Sequence, residues 1–130
     1  MIVVDASVVL DVLLRTPDSD ALLERMLSTS PVVHAPHLLD LEVAQVTRRY
    51  WLAGEIGAGR GAEVIADLGA LPIRRYPHEH MLERIWELRD NVTAYDAAYL
   101  ALAEALYMPL LTRDRRLAAA PGHRARVEVI

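Results

Sequence analysis

An α/β fold built on a mainly parallel central sheet is the class this sequence predicts, on three observations. Short apolar runs rich in β-branched residues recur along the chain: "IVVD", "PVVHAP", "PIRRY", "PLLT" and "VEVI". Stretches with helical spacing separate them, and such alternation is the mark of strand–helix–strand units. Prolines and glycines punctuate the joins. No internal repeat, linker or low-complexity segment interrupts the pattern. With 130 residues, 53% of them hydrophobic, the chain suits one compact domain over residues 1–130.

Each element has its own warrant. Ile2–Asp5 is a buried strand, and Ala6–Leu14 follows as a helix or helical turn. "TPDSD" punctuates before a helix over Ala21–Leu27. Pro31–Pro36 is a short strand between prolines. His37–Leu52 is a helix whose Leu39, Val43, Val46 and Tyr50 form one apolar stripe. Gly54–Gly61 carries four glycines and reads as a loop. It lacks a preceding strand and a following Lys-Ser/Thr, so it is not a phosphate loop. Ala62–Leu71 is a shorter helix, Pro72–Tyr76 a strand, and His78–Asn91 a helix with Met81, Ile85 and Leu88 on one face. "TAYDAAYLALAEAL", Thr93 to Leu106, is a helix with Tyr95, Tyr99, Leu102 and Leu106 on one stripe and Glu104 on the solvent side. Pro109–Thr112 is a strand, Arg113–Gly122 a loop with a short helix, and Val127–Ile130 the closing strand.

Composition excludes several chemistries. The chain has no cysteine, which removes disulfides, thiolate zinc sites and cysteine nucleophiles. All 14 basic residues are arginine, so no lysine is available for catalysis. The 18 acids outnumber them for a formal net charge of −4, which does not advertise a nucleic-acid binder. Arginine does suit bidentate contacts to phosphate, and Arg48-Arg49, Arg74-Arg75 and Arg113 with Arg115-Arg116 are grouped. Taken alone, base bias and solvated faces are the preferred explanation of such groups. "MIVVD" has no basic leader, and charges break every long apolar run. We therefore expect a soluble, cytoplasmic protein with no membrane span.

Ligands of open α/β sheets gather outside the carboxyl ends of the strands. Asp5 ends the first strand, and Asp114 lies just past "PLLT". Asp96 lies in the first turn of its helix. Glu42 lies early in the His37–Leu52 helix and borders its apolar stripe, while Asp40 points about 200° away. Each acid alone has a plain structural explanation. Thr93 and Asp96 resemble a capping box. Asp5 suits a helix cap, Asp114 a turn and Glu42 the surface. Together, four carboxylates without cation partners raise one another's pKa, and a divalent cation resolves the repulsion. Hard oxygen donors suit Mg²⁺, with Mn²⁺ able to substitute, rather than zinc. Ser7 and Thr112 stand beside Asp5 and Asp114 as accessory hydroxyls, or make ordinary local backbone bonds.

"IVVDAS", Glu42 after "PVVHAP", "TAYDAAYLALAEAL" and "PLLTRDRRLA", in this order from Ile2 to about Leu117, resemble the PIN domain. More narrowly they resemble the VapC toxins of bacterial toxin–antitoxin pairs. The resemblance implies a single PIN domain, with a three-layer α/β/α arrangement around a parallel sheet. It implies a metal-dependent endoribonuclease whose catalytic and metal-binding acids are Asp5, Glu42, Asp96 and Asp114. It also implies a homodimer, an RNA substrate and inhibition by a cognate VapB antitoxin. On this reading Asp5, Asp96 and Asp114 hold one or two Mg²⁺ ions, and Glu42 positions an ion or the attacking water. Arg113, Arg115 and Arg116 flank the site as phosphate contacts or as solvated surface. Tyr50, Trp51 and Trp86 are assigned to core packing ahead of a dimer or antitoxin surface.

Three alternatives are weighed against it. Another Mg²⁺-dependent phosphatase or phosphotransfer domain also places Asp at a strand end, but ordinarily uses an active-site lysine. A non-catalytic binding module uses the acids only as caps. A zinc hydrolase needs more than "HEH" at His78 to His80, and no HExxH spacing exists, so His34, His37, His78 and His80 are read as surface or packing residues.

Overall fold

The structure, a computed structural model, describes residues Met1–Ile130. Five strands form one sheet: β1 (Val3–Val4), β2 (Val33–Pro36), β3 (Ile73–Tyr76), β4 (Leu110–Thr112) and β5 (Val127–Val129). All neighbours are parallel, in the order β3-β2-β1-β4-β5. Each strand lies within a run anticipated from its apolar, β-branched residues. The three-layer α/β/α class is as expected.

The strand order dictates where the helices go. Crossovers between parallel strands are right-handed, so the direction of each step decides which face its helices cover. From β1 the chain steps outward to β2 and β3. The connections are α1 (Ala6–Leu13) with α2 (Ser19–Met26), then α3 (Leu38–Leu52) with α4 (Ala58–Ala70). The chain then returns past β1 to β4 through α5 (Leu82–Glu87) and α6 (Ala94–Leu106), and α7 (Arg115–Ala119) leads to β5. The reversed direction puts these later helices on the opposite face. Accordingly α1 packs on α2, α3 and α4, while α6 packs on α5 and on β1, β2 and β4.

The core lies at the centre of the sheet. Val3, Val4, Leu110 and Leu111 are buried on the two middle strands, with Val8 and Val9 of α1 on one side. Seven consecutive residues of α6, Ala97 to Ala103, are buried on the other. A helix buried on every side needs small residues to seat closely, and the alanines of "DAAYLALA" supply them.

Several local expectations change. Helix α4 starts at Ala58 rather than after Gly61, with Gly57 at its N-cap. No glycine there is demanded by packing: a Cβ at Gly57 or Gly59 would meet nothing within 4 Å, and one at Gly61 would make ordinary contact with Thr47 Cγ2 at 3.7 Å. The helix expected over His78–Asn91 is a 3₁₀ turn at Glu79–Met81 followed by six residues of α5. Met81 and Leu88 are buried and anchor its two ends, so no long amphipathic face is required. Tyr95 leaves the expected stripe of α6 and is 63% exposed, because it precedes the turn where the helix enters the core. Trp51 and Trp86 are not core residues. They are 51% and 68% exposed, and the Trp86 ring lies under the Arg89 guanidinium 4.6 Å away. Glu104 is not on the solvent side: its side chain is only 9% exposed and is held by Arg84 through two hydrogen bonds of 2.9 Å.

Candidate active site

The connections from β1 and β4 leave toward opposite edges of the sheet, which opens a crevice beyond their carboxyl ends. The register pairs Val3 with Leu110 and Val4 with Leu111. The next residues on each strand, Asp5 and Thr112, therefore face each other at its floor.

Asp5 is the N-cap of α1, where its extended backbone turns the chain and its side chain replaces the missing helical acceptor. Asp5 Oδ1 accepts from the backbone N–H of Ser7 at 3.1 Å and of Val8 at 3.3 Å, and from the Ser7 hydroxyl at 2.5 Å. Oδ2 accepts from the Thr112 hydroxyl. Both hydroxyls then accept from the segment after β4. Ser7 Oγ takes the Arg113 N–H at 3.0 Å, and Thr112 Oγ1 takes the Asp114 N–H at 3.0 Å. Two hydroxyls thus tie the carboxylate ending one strand to the backbone leaving its neighbour.

The other acids come from three further elements. Glu42 stands on α3 and accepts a hydrogen bond from the Tyr99 hydroxyl at 2.5 Å. Asp96 lies in the first turn of α6, where its N–H donates to the N-cap Thr93 hydroxyl at 3.2 Å. Asp114 is the N-cap of α7 and accepts the Arg116 N–H at 2.9 Å. The caps read from the sequence are therefore real. Capping by the Thr93 hydroxyl engages the backbone N–H of Asp96.

Their electrostatics place them together. Burial raises the Asp5 carboxyl above its ordinary value, against hydrogen bonds from Ser7, Thr112 and Val8 that lower it. Burial also raises Glu42; the Tyr99 hydroxyl opposes this, and the charges of Asp5 and Asp96 add to it. Asp96 is raised by burial and then by Asp114, with Thr93 and Arg116 opposing. Glu42 thus feels Asp5 and Asp96, and Asp96 feels Asp114. No arginine pairs with Asp5 or Glu42; the site's cation is Arg116, 3.5 Å from Asp114 Oδ1.

This donor set fits a divalent cation in its chemistry: hard oxygens, raised carboxyls and little compensating charge. As the side chains stand, no group of three Asp, Glu or His residues forms a ready-made cage. Asp5 explains part of this, since hydrogen bonds engage both of its oxygens. An ion held here would be bound partly through water.

Not every candidate faces the crevice in the same way. The Arg113 side chain turns to α1 and α2, meeting Asp11 at 3.0 Å and Asp18 at 3.2 Å. Arg115 and Arg116 are exposed. Asp40, on the same helix as Glu42, is engaged by Arg75 at 2.7 Å. Two histidines are engaged within the fold and a third is exposed: His34 Nδ1 meets the Tyr76 hydroxyl at 2.7 Å, His78 Nε2 accepts from the Leu38 N–H at 3.0 Å, and His80 lies on the surface. Sequence reasoning alone misses Tyr99 as part of the site. It places Tyr99 on an apolar stripe, and the buried ring does lie there. The spacing of three residues from Asp96 is the available signal, placing both on adjoining parts of one helix face.

Residues 2–122 match the PIN domain family. Ribonuclease VapC1 of Mycobacterium tuberculosis is 45% identical over 129 residues, covering 98% of this chain and 96% of the relative. Ribonuclease VapC12 of the same species is 38% identical over 130 residues, covering 100% and 99%. A solved toxin–antitoxin complex from Klebsiella pneumoniae shares the fold, with a TM-score of 0.72 at 19% identity over 99% of this chain and 97% of its own. Coverage from end to end, together with a sheet whose switch point carries the acids, places this chain in the PIN-domain family, among its VapC ribonucleases.

Proposed function

We propose that this chain is a divalent-cation-dependent endoribonuclease, the toxin of a VapBC toxin–antitoxin pair, cutting RNA at the β1–β4 crevice. The observation that carries the reading is the set of acids at the carboxyl ends of β1 and β4, where Thr112 bridges Asp5 and the Asp114 backbone, Glu42 feels the charges of Asp5 and Asp96, and no arginine pairs with Asp5 or Glu42. Asp5, Asp96, Asp114 and Glu42 hold Mg²⁺, or Mn²⁺ in its place. When bound, the ion polarises the scissile phosphoryl group and stabilises the charge developing on the leaving oxygen. Glu42 orients the attacking water. Ser7 and Thr112 fix the Asp5 carboxylate and the backbone that carries Asp114. Arg115 and Arg116 lie on the solvent side, where they meet RNA phosphates.

A VapB-type antitoxin is the proposed protein partner, and a homodimer the proposed state. Support comes from large apolar side chains exposed on α3 and α4, namely Leu41, Trp51, Leu52 and Ile65. No helix is long and apolar enough to cross a membrane. The proposed compartment is the cytoplasm, where RNA and antitoxin are available.

Mapping cleavage ends in total RNA after induction, against an Asp5→Asn control, tests the activity. Discrete new ends absent from the control are expected. Equal Mg²⁺-dependent cleavage by Asp96→Asn, with an unchanged circular dichroism spectrum, would remove the four-acid site.

A further inference from the structure

The Tyr99 hydroxyl is the only protein group that hydrogen-bonds the Glu42 carboxylate. The two residues are 57 positions apart and come from helices that cover opposite faces of the sheet. Tyr99 is buried, 2% exposed. The hydroxyl donates to Glu42 Oε1, since an ionised carboxylate only accepts. It also lies in the field of the Asp5 carboxylate, so it stands beside one acid of the site while it grips another.

We infer that Tyr99 is a positioning residue of the acidic site, holding Glu42 by one oxygen at a fixed distance from Asp5 and leaving Oε2 directed to the crevice. The inference rests on the proposed acidic site and adds to it the device that sets its width. Without the hydroxyl, a half-buried Glu42 faces the charges of Asp5 and Asp96 with nothing to hold it. Its side chain then swings toward water, since three rotatable bonds separate the carboxylate from α3. Asp96 and Tyr99 sit three residues apart on α6, so one rigid helix delivers both a site acid and the clamp on its neighbour. A well-packed helix is a more precise mount than a loop.

Tyr99→Phe removes the hydroxyl and keeps the ring, and circular dichroism with a melting curve checks the fold. The readouts are calorimetric titration with Mn²⁺ alone and the kcat and KM for an oligonucleotide spanning the mapped cut. We expect Mn²⁺ binding about 10-fold weaker and kcat lowered by a similar factor, with KM unchanged. Adding Tyr99→Phe to Glu42→Gln should cost little more than Glu42→Gln alone, because both act through one contact. Wild-type Mn²⁺ binding and kcat in Tyr99→Phe, with Glu42→Gln impaired, would overturn the inference and leave the acidic site standing. Full additivity of the two substitutions would overturn it too. If Glu42→Gln itself binds Mn²⁺ and cleaves as the unaltered chain does, the acidic-site reading fails first.

Discussion

The Thr112 hydroxyl donates to Asp5 Oδ2 across the β1–β4 crevice and accepts the Asp114 N–H at 3.0 Å. Thr112 is buried, so water cannot replace it. Thr112→Val keeps the shape and deletes both bonds. The orphaned Asp5 oxygen and Asp114 N–H would cost roughly 1–3 kcal/mol, and the site backbone would loosen. We expect a lower melting temperature and cleavage reduced about 10- to 100-fold. Thr112→Ser, which restores the hydroxyl, should recover most of both. Melting curves and cleavage rates on the three proteins check this; full-rate cleavage by Thr112→Val would refute it.

Asp5, Glu42 and Asp96 all titrate above their ordinary values, with burial the largest cause for each. In the unfolded chain they titrate near about 4. The folded chain therefore holds these protons after the unfolded chain has released them. Their contribution to stability is present below the unfolded values and is lost as pH rises through the folded ones. At neutral pH, without a divalent ion, the charged acids oppose the fold. Glu42→Gln should then raise the metal-free melting temperature at pH 7 by a few degrees. The difference should close near about pH 4, where the native carboxyl is also neutral. Saturating Mn²⁺ should reverse the order, because the ion stabilises only a chain that binds it. Scanning calorimetry in chelator and in Mn²⁺ reads both signs. A lower melting temperature for Glu42→Gln at pH 7 in chelator would count against mutual repulsion at the site.

What is legible in the sequence is periodic or terminal. Asp5 and Asp114 can be found because strand ends in an α/β sheet are where ligands gather, and both runs are recognisable from β-branched residues. Asp96 can be found because its helix start is marked by Thr93. What stays hidden depends on long-range partners. Tyr99 looks like one more apolar residue until α3 brings Glu42 to its hydroxyl. Glu104 looks solvated until Arg84, 20 positions earlier, closes over it. Arg113 looks like a phosphate contact until α1 and α2 present Asp11 and Asp18. Trp51 and Trp86 fail for a different reason: size and apolarity favour burial, but both rings stand on the outer side of their helices, Trp86 under the Arg89 guanidinium.

The three arginines beside Asp114 should separate into two kinds. The Arg113 side chain is committed to Asp11 and Asp18, and its backbone N–H to Ser7. Arg116 is 93% exposed, and Arg115 is exposed beside it. If Arg115 and Arg116 meet RNA phosphates, replacing each with Ala weakens binding and flattens its salt dependence. The slope of log affinity against log salt should fall by about 0.7 for each phosphate that is no longer neutralised. Arg113→Ala should leave that slope unchanged, while lowering kcat and the melting temperature by loosening the Asp114 segment. RNA binding by an Asp5→Asn background across a salt series, to prevent cleavage, separates the two. An equal slope change for Arg113→Ala would place its side chain on the substrate after all.

Far from the crevice, Arg84 closes over the end of α6. Its guanidinium meets both Glu104 oxygens at 2.9 Å and reaches the Gly122 carbonyl at 3.1 Å, while the Arg124 N–H donates to Glu104 at 3.1 Å. Burial works to raise the Glu104 carboxyl, but Arg84 and the Arg124 N–H outweigh it and hold it below the ordinary value. This contribution is present above the unfolded pKa and is lost as pH falls through the folded one, the opposite sense to the crevice acids. Arg84→Ala strands a carboxylate whose side chain is 9% exposed. Allowing for the partial exposure of Arg84, the cost is roughly 2–4 kcal/mol, or several degrees of melting temperature. The loss should be smaller at acid pH, where Glu104 can neutralise. Cleavage kinetics below the transition should not change, because the pair ties α5 and α6 to the chain near Gly122 and touches none of the four acids. A loss of kcat in well-folded Arg84→Ala would mean that the α6 carrying Asp96 and Tyr99 shifts when its far end is released.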